Sequence, residues 1–223
     1  MTKRKQRKEI LQGAKERLLE AATDIFGRFG YEPATTRMIA QQANVNIAAI
    51  PYYFNGKEGL YFAVIDSIVE LISLQVQPVC TIVSDTEFTG TDGSEKATVL
   101  LEQFISAMVN FMVGSPEAPK VARIILREQL DPSSAYDRIF TGFMARVLDA
   151  LTTLIIAISA NMSKRTARIR AMTLIGQVLI FRVARETAVR GLQMEGYSQI
   201  ETAEIRQIII DQTRSIIAQL QTN

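Results

Sequence analysis

Histidine is absent from all 223 residues. Without it the chain has no Ser-His-Asp or Cys-His nucleophile system, no His-ligated zinc and no imidazole pH switch. The single cysteine, Cys80, cannot close an internal disulfide, which fits a reducing, cytoplasmic setting. No unbroken apolar run reaches the roughly 18 residues that a bilayer span requires. The basic amino terminus has no apolar segment behind it, as a signal peptide would. The expectation is therefore a cytoplasmic chain with no membrane partner. Strand-like alternation, internal repeats and a glycine-rich phosphate loop after a strand are also missing, so nucleotide-binding α/β folds have no support. No cofactor or metal site is expected.

What remains is an ordinary globular composition, 48% apolar and 22% charged, long enough for one generous domain or two small ones. The net charge of +2 conceals an asymmetry. Residues 1–60 hold ten Lys/Arg against six Asp/Glu, whereas residues 61–223 hold fifteen against seventeen. A basic front end on a mildly acidic body either meets a polyanion or serves as a solvated tail.

The periodicity is helical throughout. Lys3 to Lys8 (KRKQRK) is too charged to pack and reads as a flexible arm. Ala14, Leu18, Ala22, Ile25, Phe26 and Phe29 recur at spacings of three and four, marking a helix that Gly30 ends. Thr35-Thr36 suits the start of a short second helix with Met38, Ile39, Ala40 and Ala43 inward. Asn46 can cap a third short helix over about 47–54, and Asn55-Gly56 is a turn. Lys57 opens a long fourth helix that Pro78 should end. Residues 84–95 form a polar loop, and helical patterns resume over about 95–113, 118–130, 135–161, 164–192 and 200–220. The predicted fold is all-α, with a head at 1–60 and a larger body at 61–223.

The two short helices joined by a three-residue turn make a helix-turn-helix. Ala40 is small where the helices cross, and Asn44 stands where the turn needs a positive φ. Val45 and Ile50 supply the apolar lock, with Phe54 at the base.

The run Ala43 to Leu60 (ANVNIAAIPYYFNGKEGL), together with Ala21 to Phe29, Gly30-Tyr31 and Thr35-Thr36, resembles the signature of TetR-type transcriptional regulators. NIAAIPYYF, taken with Arg127 to Pro132 (REQLDP), is similar to the CecR-like subgroup of that family. The resemblance implies a double-stranded DNA operator, a homodimer and a small-molecule effector. It places Thr36, Arg37, Asn46, Ile47, Ala48, Ala49, Tyr52, Tyr53 and Lys57 at DNA. Ile47, Ala48 and Ala49 have no hydrogen-bonding side chains, so their readout would be apolar contact with thymine methyls. Tyr52 and Tyr53 can each offer a hydroxyl to DNA or pack; one of the two is expected to face it. The arm at 3–8 could add minor-groove or phosphate contacts. Pro51 departs from the tyrosine usual in the family and loses a helical hydrogen bond.

The body implies a sensor and a dimer seam. Phe104, Met108, Phe111, Met112, Arg127, Phe140, Met144, Gln177 and Phe181 could line an adaptable effector pocket, each with core packing as its alternative. Arg127 and Glu128 could equally form an ion pair. Met172, Ile175, Leu179, Ile205, Ile208, Ile209 and Ile216, with Leu220, form stripes suited to a two-fold four-helix bundle. Two rivals stay open. A carboxylate- or lysine-based helical-bundle enzyme has no telling pair of acids to support it. A helical interaction module could bind RNA or an acidic partner through the basic arm.

Overall fold

The computed structural model describes residues 3–90, 92–159 and 161–221, with side chains described between Gly13 and Gln219. Eleven α-helices are assigned among them: α1 (Lys3–Phe29), α2 (Thr36–Ala43), α3 (Ala49–Phe54), α4 (Lys57–Asp85), α5 (Gly93–Val109), α6 (Ala118–Leu130), α7 (Tyr136–Ile139), α8 (Ala145–Ile158), α9 (Lys164–Val183), α10 (Arg185–Gly191) and α11 (Gln199–Gln221). Wider π turns, Asn110–Gly114 and Phe140–Met144, prolong α5 and link α7 to α8. No strand occurs among the described residues, and the all-α expectation holds.

The chain divides into two compact units. The first holds residues 1–70 and 119–139, the second 71–118 and 140–223. The first thus adds the start of α4, nearly all of α6 and α7 to the residues that the sequence assigns to a head at 1–60.

In the first unit, Leu18, Ala22, Ile25 and Phe26 of α1 are buried with Ile39, Ala40 and Ala43 of α2, Ile50 and Phe54 of α3, and Leu60, Val64 and Ile65 of α4. Phe29, read as part of the α1 stripe, is half-exposed instead. Gly30 stops α1 as anticipated. Its φ is +86°, a conformation that favours glycine, and its N–H donates to Phe26 O at 2.9 Å. Gly59 is required by close approach: a Cβ there would stand 1.7 Å from Phe54 O. The first turn of α4 can therefore lie against the end of α3 only through a residue with no side chain.

In the second unit α5, α8, α9 and α11 pack on one another around Leu101, Phe104, Leu151, Leu154, Ala171, Leu174, Val178 and Ile209. The carbonyls at the π turn that ends α5 are met by Arg182, whose Nε donates to Met112 O at 2.5 Å and Nη2 to Val113 O at 3.2 Å. Burial pushes this guanidinium below its ordinary pKa.

Two sequence expectations need correction. The arm at 3–8 is not separate from the fold's helices: α1 begins at Lys3, though these side chains lie outside the description, as does that of Leu220. Pro78 does not end α4, which runs on to Asp85 with the proline inside it. Pro78 denies a hydrogen bond to the carbonyl of Leu74, but Leu74 and its neighbours Gln75, Gln77 and Pro78 are exposed, so water can take that acceptor. Three helical stretches (57–85, 93–114 and 136–158) are long and apolar enough to cross a membrane by length and composition. A search for an unbroken apolar run misses them because isolated polar residues interrupt each one.

Candidate nucleic-acid interface

The helix-turn-helix is held by side-chain caps at each joint. Thr35 Oγ1 accepts from Met38 N at 3.2 Å and caps α2, so Thr36 becomes its first residue. Asn44 adopts φ +50°, and Val45 N donates to Ala40 O at 3.0 Å, closing the end of the helix. Arg17 Nε donates to Ala43 O at 3.3 Å, covering another terminal carbonyl and tying α2 to α1. Gln42 Nε2 reaches Asp24 Oδ2 at 2.9 Å, while Arg28 Nε takes the other oxygen of that carboxylate at 2.9 Å.

The third helix is then presented by Asn46. Its Oδ1 accepts from Ala48 N at 2.9 Å and its carbonyl from Ala49 N at 2.9 Å. The side chain placed at DNA by resemblance is therefore engaged in closing the turn before α3, whose own N-cap position, Ala48, has no side-chain bond. The regular helix starts at Ala49, with Ile47 and Ala48 forming the turn before it. Pro51 falls in its first turn, where few amides have helical partners anyway. Asn55, at φ +59°, donates its N–H to Pro51 O at 3.1 Å and closes the other end.

This places Ile47 (48% exposed), Ala48 and Tyr52 (75% exposed) outward, with Ala49 half-buried beside them. Apart from the Tyr52 hydroxyl, the side chains of this surface carry no hydrogen-bonding group. Tyr53 is a correction: its hydroxyl is buried and has no partner among the described residues, so it does not stand free for a phosphate. Thr36 is half-exposed and Arg37 exposed at the start of α2. Lys57 Nζ donates to Glu32 O at 3.1 Å and sits 4.4 Å from the centroid of the Tyr31 ring. Neither contact cancels its charge.

The first unit also holds a buried acid that the sequence suggested only as an ion-pair partner of Arg127. Glu128, only 4% exposed, accepts from Tyr61 Oη at 2.6 Å, Ser133 N at 3.0 Å and Ser133 Oγ at 2.9 Å. The Tyr61 ring stands 4.9 Å from Phe26 and 5.0 Å from Tyr31. Burial first, and the bond to Glu128 second, hold the Tyr61 hydroxyl well above the usual tyrosine range. The unfolded chain loses that proton near pH 10 while the folded chain keeps it. The stabilisation is therefore full below about pH 10 and falls as pH rises further, by about 1.4 kcal/mol per pH unit while only the unfolded form titrates. In urea melts between pH 9 and 11.5, Tyr61→Phe should lose stability less steeply than the parent; equal slopes would contradict this.

Arg127 is not a pocket residue. Its Nη2 donates to Arg28 O at 3.0 Å, and its guanidinium lies beside Gly30, all within the first unit. It forms no ion pair with Glu128 among the described residues. The remaining pocket candidates do not gather around one described cavity. Phe104 and Met108 are buried in the core, Phe111, Met112, Met144, Gln177 and Phe181 are half-buried, and Phe140 is exposed. The cleft that does form in the second unit is lined by other residues of α5, α8, α9 and α11, including Ile216. In the expected dimer stripe, Ile205 and Ile209 are buried in the chain's own core, while Met172 (60%) and Ile208 (50%) are exposed and Ile175 and Leu179 half-buried. On these two helices the exposed large apolar residues are Ile169, Met172, Ile180 and Val183 of α9, with Ile200 and Ile208 of α11.

A family model described as bacterial regulatory proteins, tetR family, matches residues 18–64. Another, described as the C-terminal domain of the HTH-type transcriptional dual regulator CecR, matches residues 97–220. The CecR protein of Shigella flexneri is 32% identical over 199 residues, covering 88% of this chain and 87% of that one. The transcriptional regulator RutR of Escherichia coli K12 is 35% identical over 65 residues, 29% of this chain and 31% of its own. Among solved structures, AibR in complex with isovaleryl coenzyme A and operator DNA superposes with a TM-score of 0.65 at 15% identity, over 88% of this chain and 96% of AibR. A TetR-like regulator from Rhodococcus sp. RHA1 gives 0.58 at 15% identity, over 88% and 91%. At these identities both structures speak to fold alone.

Proposed function

The chain belongs to the TetR family of bacterial regulatory proteins, with a C-terminal domain of the CecR type, and from that membership we propose a cytoplasmic repressor that binds a palindromic operator as a homodimer and releases it when a small-molecule effector occupies the body. That it is a DNA-binding transcriptional regulator and not an enzyme follows from the family itself. The observation that carries the docking is the outward surface of Ile47, Ala48, Ala49 and Tyr52, on a helix whose leading turn is closed by Asn46. A surface so poor in donors reads thymine methyls in the major groove by apolar contact. Thr36 and Arg37 meet phosphate at the start of α2, where amides and a guanidinium converge.

Selection of bound fragments from random duplex DNA tests the proposal as a whole. A two-fold symmetric consensus with half-sites about one helical turn apart supports it. An asymmetric site, or no enrichment, overturns the dimeric docking.

Lys57 supplies a phosphate contact independent of sequence. Lys57→Ala should weaken specific and non-specific duplexes alike and lower the salt slope by about one, as read by anisotropy between 50 and 200 mM salt. Unchanged slope and affinity would remove Lys57 from the interface.

The homodimer has support in the exposed apolar residues of α9 and α11, since apolar surface gathered on one helix face is the kind that a partner covers. Met172→Glu together with Ile180→Glu places two carboxylates where apolar side chains would have to meet. Sedimentation should show a monomer, and cooperative operator binding should be lost with it. A dimer that survives the double substitution would place the seam elsewhere.

A further inference from the structure

Glycine inside a helix weakens it more than any residue except proline, so its presence there needs a cause. Gly30 has one in its positive φ, and Gly59 in the carbonyl of Phe54. Gly27, within α1, has one in Lys120 O, which would stand 3.5 Å from a Cβ. Gly176 has neither kind. It lies well inside the 20-residue α9, its φ is not positive, and a Cβ there would meet no described atom within 4 Å. Nothing described within this chain excludes alanine from the position, so the cause lies outside it.

The surface around Gly176 shows what kind of neighbour that is. Met172 and Ile180 stand four residues to either side, and Ile169 and Val183 seven to either side. Spacings of four and seven put all five on one helix face, and all five are exposed. The opposite face, with Ala171, Leu174 and Val178, is buried in the core. The exposed stripe therefore has the same pattern in both directions: glycine at the centre, then an apolar side chain at four and another at seven. No such stripe exists on α11, where Ile208 is exposed among the equally exposed Gln207, Asp211 and Gln212.

We propose that α9 packs antiparallel on α9 of a second copy, the two helices crossing at Gly176 on the two-fold axis. A two-fold interface is isologous, so each residue at a given distance before Gly176 meets the residue at that distance after it in the second copy. Met172 then meets Ile180, and Ile169 meets Val183, apolar on apolar at every step. At the axis glycine meets glycine, and without side chains the backbones can come closer than the roughly 8–10 Å at which helices usually pack. That close approach is the missing cause of Gly176.

The second copy is favoured as occupant because the stripe is symmetric about its own centre, which a self-complementary interface requires and an unrelated partner does not. Charge favours the antiparallel sense. Helix α9 has no acidic residue, so a parallel pair would set Lys164 and Arg165 beside their own counterparts with no carboxylate of α9 between them, whereas the antiparallel pair sends them to opposite ends. The inference deepens the homodimer of the proposed function and rests on it.

The test is single-cysteine crosslinking of the full chain in a Cys80→Ser background, oxidised with copper phenanthroline and read on non-reducing gels. A residue forms a disulfide with its own counterpart only where the two Cα atoms come within about 7 Å, which means beside the axis. Gly176→Cys should crosslink most of the chain into dimer, and Ile208→Cys almost none. Sedimentation supplies the second readout. Gly176→Leu should weaken dimerisation by about 100-fold or more, because its side chain has open space in the single chain and none at the crossing. Its helical content by circular dichroism should match the parent's. A parent that sediments as a monomer overturns both the crossing and the homodimer. A dimeric parent in which Gly176→Cys crosslinks no better than Ile208→Cys, or in which Gly176→Leu dimerises as tightly as the parent, removes the crossing and leaves the homodimer with its seam elsewhere.

Discussion

Ala49→Asp should abolish operator-specific binding, lowering affinity by about 100-fold or more in anisotropy titrations. Ala49 is the first residue of α3, and Ile47, Ala48 and Tyr52 stand outward beside it. An aspartate there brings a negative charge towards two phosphate backbones and sets a hydrated carboxylate where an apolar surface should meet a thymine methyl. The change is informative because it should not harm the fold. A carboxylate in the first turn of a helix is favoured by the helix dipole, and Ala49 is only half-buried. Thermal melting should be unchanged or slightly raised while binding disappears. Ala49→Ser, which adds a small hydroxyl without charge, should retain most of the affinity. If Ala49→Asp still binds the selected operator within threefold of the parent, the tip of α3 does not enter the groove.

The head was legible in the sequence because its determinants are local. Thr35, Asn44, Asn46, Gly30 and Asn55-Gly56 act within a few residues of themselves, as caps or as positions of positive φ, and that chemistry reads directly from spacing. The body was less legible for a physical reason. Periodicity shows that a helix has an apolar face but not what covers it. Ile205, Ile208 and Ile209 share one stripe, yet Ile205 and Ile209 fill the chain's own core while Ile208 is exposed. Methionine and phenylalanine suggested a pocket, and Phe104 and Met108 proved to be core, where such residues pack as readily. Pro78 misled because a proline within a helix is tolerated when the carbonyl it frees can be hydrated. Of the two tyrosines only Tyr52 faces out, because adjacent residues on a helix diverge by about 100°, so one turns out and the next turns in.

The burial of Glu128 is readable by the same arithmetic. Along α6, Ala118, Val121, Ile124 and Glu128 follow spacings of three, three and four, so a glutamate occupies the fourth position of the inward stripe, and all four are buried. An acid in that place needs donors. Its donors, however, come from Ser133 and from Tyr61, 67 residues away, and no local signal names a partner at that distance.

The second large effect follows from that arrangement. Glu128→Ala should destabilise the protein by about 3 kcal/mol or more, because it removes the shared acceptor of Tyr61 Oη, Ser133 N and Ser133 Oγ and leaves buried donors unmet. For a chain of this length such a loss lowers the melting midpoint by about 6–12 °C. Glu128→Gln keeps one acceptor oxygen and the shape of the side chain, so it should cost less, although its amide N–H₂ must then face a donor. The decisive measurement is a double-mutant cycle with Tyr61→Phe. If the 2.6 Å bond couples the two residues, Glu128→Ala should cost at least about 1 kcal/mol less in the Tyr61→Phe background, where the orphaned hydroxyl no longer exists. Additive costs would mean that water replaces Glu128 as the acceptor. The same variants carry a functional expectation. Tyr61 packs on Phe26 and Tyr31, and Arg127, the residue before Glu128, holds the carbonyl of Arg28 at the end of α1. Loosening Glu128 therefore loosens the base on which α2 and α3 rest. Operator affinity of Glu128→Ala should fall below that of the parent at temperatures where both are still folded, whereas a substitution of equal cost in the second unit, such as Leu154→Ala, should leave operator contacts intact.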